Sequence, residues 1–225
     1  MSIITVASTK GGVGKSTFII NLASIFLMND KKIAILDADI QNSVGKWNRI
    51  REYMISEGAN IKPLFIASAR GEALIEIAND KKNQGYTVLI DSPGIDDANM
   101  RTALLRSDYI INPCPVSSID LWEVESLMKI INNLQKIQHR KIPLILVFNK
   151  VPTRHSSTPI MEARKFFDDN NITPDYILEH AIKERVVFKH SIRDGKTIVD
   201  YSPFDEKAKE EMIGCYNEII NIINK

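Results

Sequence analysis

The chain has 225 residues, 44% hydrophobic and 25% charged, enough apolar material for one good core. No Pro/Gly/Ser-rich linker divides it, so a single domain over residues 1–225 is expected. A net charge of +1 excludes a globally basic nucleic-acid binder and confines any such contact to one face. Cys114 and Cys215 are too few for a disulfide framework and form no metal-ligand pair, so they read as inert thiols of a reducing compartment.

In chain order, Met1-Ser2 runs directly into Ile3-Ile4-Thr5-Val6-Ala7, a short buried strand. That leaves no room for a leader peptide, and no later run approaches the length of a membrane span, so a cytoplasmic protein with no membrane partner is expected. Lys10-Gly11-Gly12-Val13-Gly14-Lys15-Ser16-Thr17 follows, and then an apolar helix through Phe18, Leu22 and Phe26. A glycine-rich turn between strand and helix wraps backbone N–H groups around phosphate oxygens at the helix N-terminus. Lys15 reaches the β/γ-phosphates and Ser16 offers a hydroxyl to Mg²⁺. A second lysine, Lys10, stands five positions earlier; as a bland alternative it is a solvated loop residue.

Lys32–Asp37 reads as the next strand, followed by a helix near residues 43–57 and a strand at Pro63–Ala67. Asp37 and Asp39 sit where the second strand delivers its side chains toward the glycine loop. They read either as chemical groups or as a turn and helix-cap pair. Thr87–Asp91 is a strand closed by Asp91, which again is a ligand or a turn cap, and Gly94 in Ser92-Pro93-Gly94 would let backbone approach a phosphate. Tyr109–Ile111 and Leu144–Phe148 are further strands. Between them Leu121, Val124, Leu127, Ile131 and Leu134 form a packing stripe on a helix from Ser118 to Ile137. Asn149 ends the last of these strands and reads equally as a turn residue or a base contact. Arg185, Lys189 and Arg193 lie at i, i+4 and i+8; in a helix they form a basic stripe that is either a solvated face or a non-specific phosphate contact. The last helix has an apolar face through Met212, Tyr216 and Ile219 but acidic flanks, unlike a membrane-surface helix.

Strands that are apolar at successive positions and alternate with helices define an α/β fold, a predominantly parallel twisted sheet with helices on both faces. Right-handed crossovers then gather the loops after the strand carboxyl ends on one edge. The glycine loop, Asp37, Asp39 and Asp91 all belong to that edge.

The ordinary phosphate loop has Gly where this chain has Thr9; with Lys10 inside the loop, the segment resembles the deviant Walker A motif of the ParA/MinD superfamily of P-loop ATPases. Ile35–Gln41 resembles that family's Walker A′ segment, with Ile40 in place of its usual proline, and Val88–Gly94 resembles its Walker B strand and switch II loop. The resemblance implies ATP and Mg²⁺ as cofactors, with Lys10, Gly11, Gly12, Val13, Gly14, Lys15, Ser16 and Thr17 around the phosphates and Asn149 at adenine. It implies Ser16, Asp37 and Asp91 on or beside the metal, and Asp39 polarising the attacking water. Lys10 would cross a homodimer interface to the other subunit's phosphates, so Lys10, Lys15 and Asp39 form the expected catalytic set.

Ala181–Lys189 with Asp194-Gly195-Lys196 is similar to the C-terminal region of short ParF-like plasmid-partition ParA proteins. That likeness implies ATP-dependent dimers that bind nucleoid DNA non-specifically through Arg185, Lys189 and Arg193. A ParB- or ParG-like centromere-binding partner would stimulate hydrolysis. No N-terminal helix-turn-helix extension precedes the first strand, so operator autoregulation is not expected. The alternative from another class is a MinD-like membrane-cycling, or other cargo-positioning, ATPase. An iron-protein-like reductase is disfavoured by the placement of Cys215, and a small-molecule kinase or ligase by Lys10.

Overall fold

The computed structural model describes residues 1–154 and 157–225. Its elements alternate: β1 (Ile3–Val6), α1 (Lys15–Met28), β2 (Ile33–Asp37), α2 (Ser43–Ser56), β3 (Phe65–Ser68), α3 (Gly71–Asn83), β4 (Thr87–Asp91), α4 (Ala98–Arg106), β5 (Tyr109–Cys114), α5 (Ser118–Gln138), β6 (Leu144–Phe148), α6 (Ser157–Asp169), β7 (Tyr176–Ile177), α7 (Val186–Arg193) and α8 (Glu206–Ile223). The strands form one seven-stranded sheet in the order β3-β2-β4-β1-β5-β6-β7, parallel at every pairing.

Successive strand residues serve opposite faces, which is why the strands read as unbroken apolar runs. Ile4, Val6, Ile33, Ile35, Leu89, Ile111, Ile145 and Val147 join a core that also takes in residues of α1, α2, α7 and α8. Their chain neighbours turn to the other side. Ile110, Leu144, Leu146 and Phe148 pack with α4, α5 and α6, and Ile3, Leu36, Val88 and Ile90 with α3 and α4. The central helix α1 is buried along most of its length, and Phe26 meets Tyr216 of α8 edge to face at 4.9 Å.

Two strands differ from the sequence expectation. β3 is shifted to Phe65–Ser68, and β5 continues through Asn112 and Pro113 to Cys114. Proline is tolerated there because Ile110 N–H donates to Pro143 on the β6 side, so alternation turns the Pro113 nitrogen toward β1, whose pairing with β5 ends at Val6↔Ile111. The Asn112 side chain covers the end of β1 by donating to Ala7 O at 2.7 Å.

Register sets the functional edge. Val6 pairs with Asp91, and Asp91 with Asp37, so β1, β4 and β2 end side by side and release the glycine loop and both carboxylates at one level. Among the described residues no helix is long and apolar enough to cross a membrane.

Candidate nucleotide site at the carboxyl edge of the sheet

The loop between β1 and α1 is folded by its glycines and by contacts from distant strands. Gly14 has φ +99°, and a Cβ there would lie 2.5 Å from Asn149 Nδ2, so both conformation and space demand glycine. The Asn149 amide donates to Val13 O at 2.8 Å and Lys150 Nζ donates to Gly12 O at 2.5 Å. Asn149, expected at the base, thus spends its amide nitrogen clamping the loop, although the residue still lines the cavity.

Lys15 begins α1 and is only 7% exposed; burial lowers its pKa, against the pull of Asp91 and Asp39. Its ammonium reaches back toward Lys10 O at 3.4 Å. Ser16 Oγ donates to Asp91 Oδ2 at 2.6 Å, while Asp91 Oδ1 is buried without a hydrogen-bond partner among the described residues. Burial chiefly, with Asp37 nearby, pushes the Asp91 carboxyl up to about 7, while the Ser16 bond opposes the shift. Gly94 approaches so closely that a Cβ would sit 2.9 Å from Gly11 Cα and 3.1 Å from Lys15 Nζ.

The two carboxylates after β2 have different fates. Asp37, expected beside the metal, is fully buried and accepts N–H bonds from Asp39, Val44 and Gly45. Burial raises its pKa and these bonds oppose that rise. Its carboxylate therefore shapes the turn and caps α2. Asp39 is only partly buried, accepts from Gln41 N–H and faces the cavity. Arg70, unflagged in the sequence, holds this loop by donating to Ala38 O and Asp39 O at 3.3 and 2.9 Å.

Lys10 lies at the outer end of the same loop. Its side chain is 40% exposed, and its ammonium pairs with Asp120 Oδ1 at 2.7 Å on α5; that hydrogen bond raises its pKa. The second Asp120 oxygen bonds Ser117, and Thr9 donates to Glu123 at 2.5 Å. The first turns of α5 therefore hold both Thr9 and Lys10, a connection spanning over a hundred residues that no local motif announces.

A cavity of about 520 Å³ runs from Gly11–Thr17 past Asp39 and Asn149 to Ile182–Arg185, Phe188 and Met212. Its phosphate end offers backbone N–H groups, a desolvated ammonium and the Ser16 hydroxyl, with the buried Asp91 carboxylate behind that hydroxyl, and its far end sets Ile182, Phe188 and Met212 among the charged Lys183, Glu184 and Arg185. This donor set fits a nucleoside triphosphate with a hard cation. The basic residues are not brought together as expected. Arg185 caps α7 from outside the helix and is held in a half-buried pair with Glu211 at 2.6 Å, whereas Lys189 and Arg193 are 73% and 69% exposed. Arg185 therefore does not continue an exposed stripe. Both cysteines are buried, which raises their thiol pKa values.

Fold and site together define a nucleotide-binding protein with a phosphate loop on a parallel sheet. Residues 4–198 match the CobQ/CobB/MinD/ParA nucleotide binding domain, and the chain belongs to that family. It is a member of the ParA/MinD superfamily of ATPases. A maintenance of carboxysome distribution protein A from Halothiobacillus neapolitanus is 23% identical over 217 residues, 96% of this chain and 95% of that protein. The AMPPNP-bound putative plasmid partition protein of Borrelia burgdorferi B31 superposes with a TM-score of 0.64 at 23% identity, covering 97% of both chains. The cell division ATPase MinD of Pyrococcus furiosus reaches 0.73 at 17% identity, covering 98% of both.

Proposed function

We propose that this chain is a Mg²⁺-dependent ATP hydrolase of the partition type, whose ATP-bound form is a homodimer that grips DNA without sequence preference. The observation that carries the reading is the contrast between two lysines of one loop. Lys15 is buried and aimed inward, while Lys10 stands at the rim in an exchangeable ion pair.

In this mechanism the loop N–H groups and Lys15 hold the triphosphate, which enters along the cavity with its base toward Ile182–Arg185. Mg²⁺, held by Ser16 Oγ and Asp91, would neutralise charge on the β- and γ-phosphate oxygens. Asp39 orients the attacking water, and Gly94 brings the loop after β4 against the γ-phosphate so that the loop registers its presence. Lys10 leaves Asp120 for the phosphates of a second copy, so the dimer forms with ATP and parts after hydrolysis. A ParB- or ParG-like centromere-binding protein then sets the timing by stimulating turnover. Doubling the DNA-facing surface steepens both affinity and its salt dependence, which lets the nucleotide switch DNA binding.

The carboxysome-distribution relative favours a second reading in which the same DNA-bound cycle positions a cargo other than a plasmid. A membrane cycle built on the last helix is disfavoured, because α8 already buries Met212, Cys215, Tyr216 and Ile219 in the core beside α1. Phosphate release and duplex-DNA retention, measured with ATP, ADP and no nucleotide, test the proposal. Hydrolysis together with ATP-specific retention is expected; hydrolysis without any retention at low salt would remove the DNA-partition reading.

A further inference from the structure

α2 buries Val44, Trp47 and Arg51, leaving Lys46, Arg49, Ile50 and Tyr53 exposed at i, i+3, i+4 and i+7. α7 buries Phe188 and Ser191, leaving Val186, Lys189, His190 and Arg193 exposed in the same pattern. Both helices pack on the same side of the sheet. α2 is bolted to the segment that leaves α7: Trp47 Nε1 donates to Lys196 O at 3.1 Å, and the buried Arg51 donates to Asp200 and to Gly195 O. Gly195 lies so close to α2 that a Cβ would sit 2.8 Å from Ile50 Cγ2. The carboxyl end of α7, where Arg193 is exposed, is therefore held against the middle of α2 beside Ile50.

We propose that this two-helix surface is the DNA-binding face, with Lys46 and Arg49 of α2 joining Lys189 and Arg193 of α7 on the phosphodiester backbone. The inference rests on the DNA-binding reading above and names its contact surface. Among the described residues no carboxylate forms an ion pair with Lys46 or Arg49. Lys189 faces Glu184 at 3.6 Å and Arg193 faces Asp194 at 2.8 Å, exposed pairs that water and phosphate displace easily.

Each helix spaces its two cations by about one turn, roughly 4.5–6 Å of rise, while one DNA strand presents a phosphate about every 3.4 Å of axis. Tyr53 adds a hydroxyl that can donate to phosphate. Charge dominates the face and its exposed aliphatic side chains are Ile50 and Val186, too narrow an apolar stripe for insertion into a bilayer. The inner ends of both helices touch the nucleotide site: Val44 and Gly45 bond Asp37, and Phe188 and Lys189 line the cavity. The face is thus built where bound nucleotide can adjust it.

The test is fluorescence anisotropy of a labelled random-sequence duplex with ATP and Mg²⁺ at a low salt of about 50 mM and upward, with dimerisation followed in parallel. Lys46→Glu/Arg49→Glu should dimerise as wild type, bind DNA at least about tenfold more weakly and lose about two units of salt slope per protomer. Glu52→Lys, which removes a negative charge beside Arg49 and adds a positive one, should tighten binding, an outcome that damage to the fold does not produce. Wild-type affinity and slope in the double variant, or no gain from Glu52→Lys, overturns the assigned face while DNA binding by the wild type stands. A wild type that ignores DNA, whether or not it sediments with phosphatidylglycerol vesicles or captures an acidic protein partner, overturns both the face and the reading beneath it.

Discussion

Lys15 and Lys10 leave the same loop five residues apart and meet opposite environments. Lys15 lies under the loop, desolvated, within the electrostatic reach of Asp91 and Asp39, and lines the cavity of its own chain. Lys10 lies at the rim, held by Asp120 from the first turn of α5. The difference teaches that one glycine-rich turn can build two sites. One is rigid and made by burial; the other is made by an ion pair weak enough to trade for a phosphate on a second molecule.

The buried end should give the largest effects. Lys15→Ala is expected to lower ATP hydrolysis by about 10²–10³-fold, because it removes the cation aimed at the transferring phosphoryl group; a phosphate-release assay checks this. Near-normal turnover would erase the distinction between the two ends of the loop.

Asp91→Asn should reduce hydrolysis by about 10–100-fold and yet stabilise the nucleotide-free protein. The sign follows from the folded carboxyl lying at about 7, above its ordinary 3.8. Between those values the unfolded chain has released a proton that the folded chain retains, so stability falls as pH rises through this window and the loss persists above it. The melting temperature of the metal-free wild type should therefore fall between pH 5 and pH 8 relative to Asp91→Asn, roughly in proportion to this shift. Parallel curves for the two proteins would show that burial of Asp91 carries no such cost.

At the exposed end the effects should be smaller. Asp120→Asn weakens the hold on Lys10 while leaving its charge in place. Half-maximal dimerisation should then occur at an ATP concentration lower by about a few-fold, measured by light scattering. A shift to higher ATP would mean that Asp120 positions Lys10 for the dimer and does not retain it.

The same contrast explains what was legible in the sequence. The glycine loop, Lys15, Ser16 and Asp91 were readable because their chemistry depends on local spacing and on ending a buried strand. The parallel α/β class was readable because apolar runs alternate with helical stripes. Partners of the loop from far along the chain were not: Asn149 clamping Val13, Lys150 on Gly12, Asp120 on Lys10 and Glu123 on Thr9 depend on strand order. Asp37 shows that spacing places a carboxylate without orienting it, since its oxygens are taken by three backbone N–H groups. For Arg185, spacing suggested a place in the helix, but it sits just before α7 in extended backbone and is captured by Glu211 from α8, a long-range pairing that spacing does not carry. The two-residue edge strand β7 is too short to carry a periodic signal.

The central claim is that Lys10 acts on a second molecule, and analytical ultracentrifugation of wild type and Lys10→Ala with ATP and Mg²⁺, alongside nucleotide affinity of the monomer, tests it most directly. The account predicts that Lys10→Ala binds nucleotide within about a few-fold of wild type but stays monomeric. A Lys10→Ala protein that dimerises with ATP as readily as wild type would contradict it.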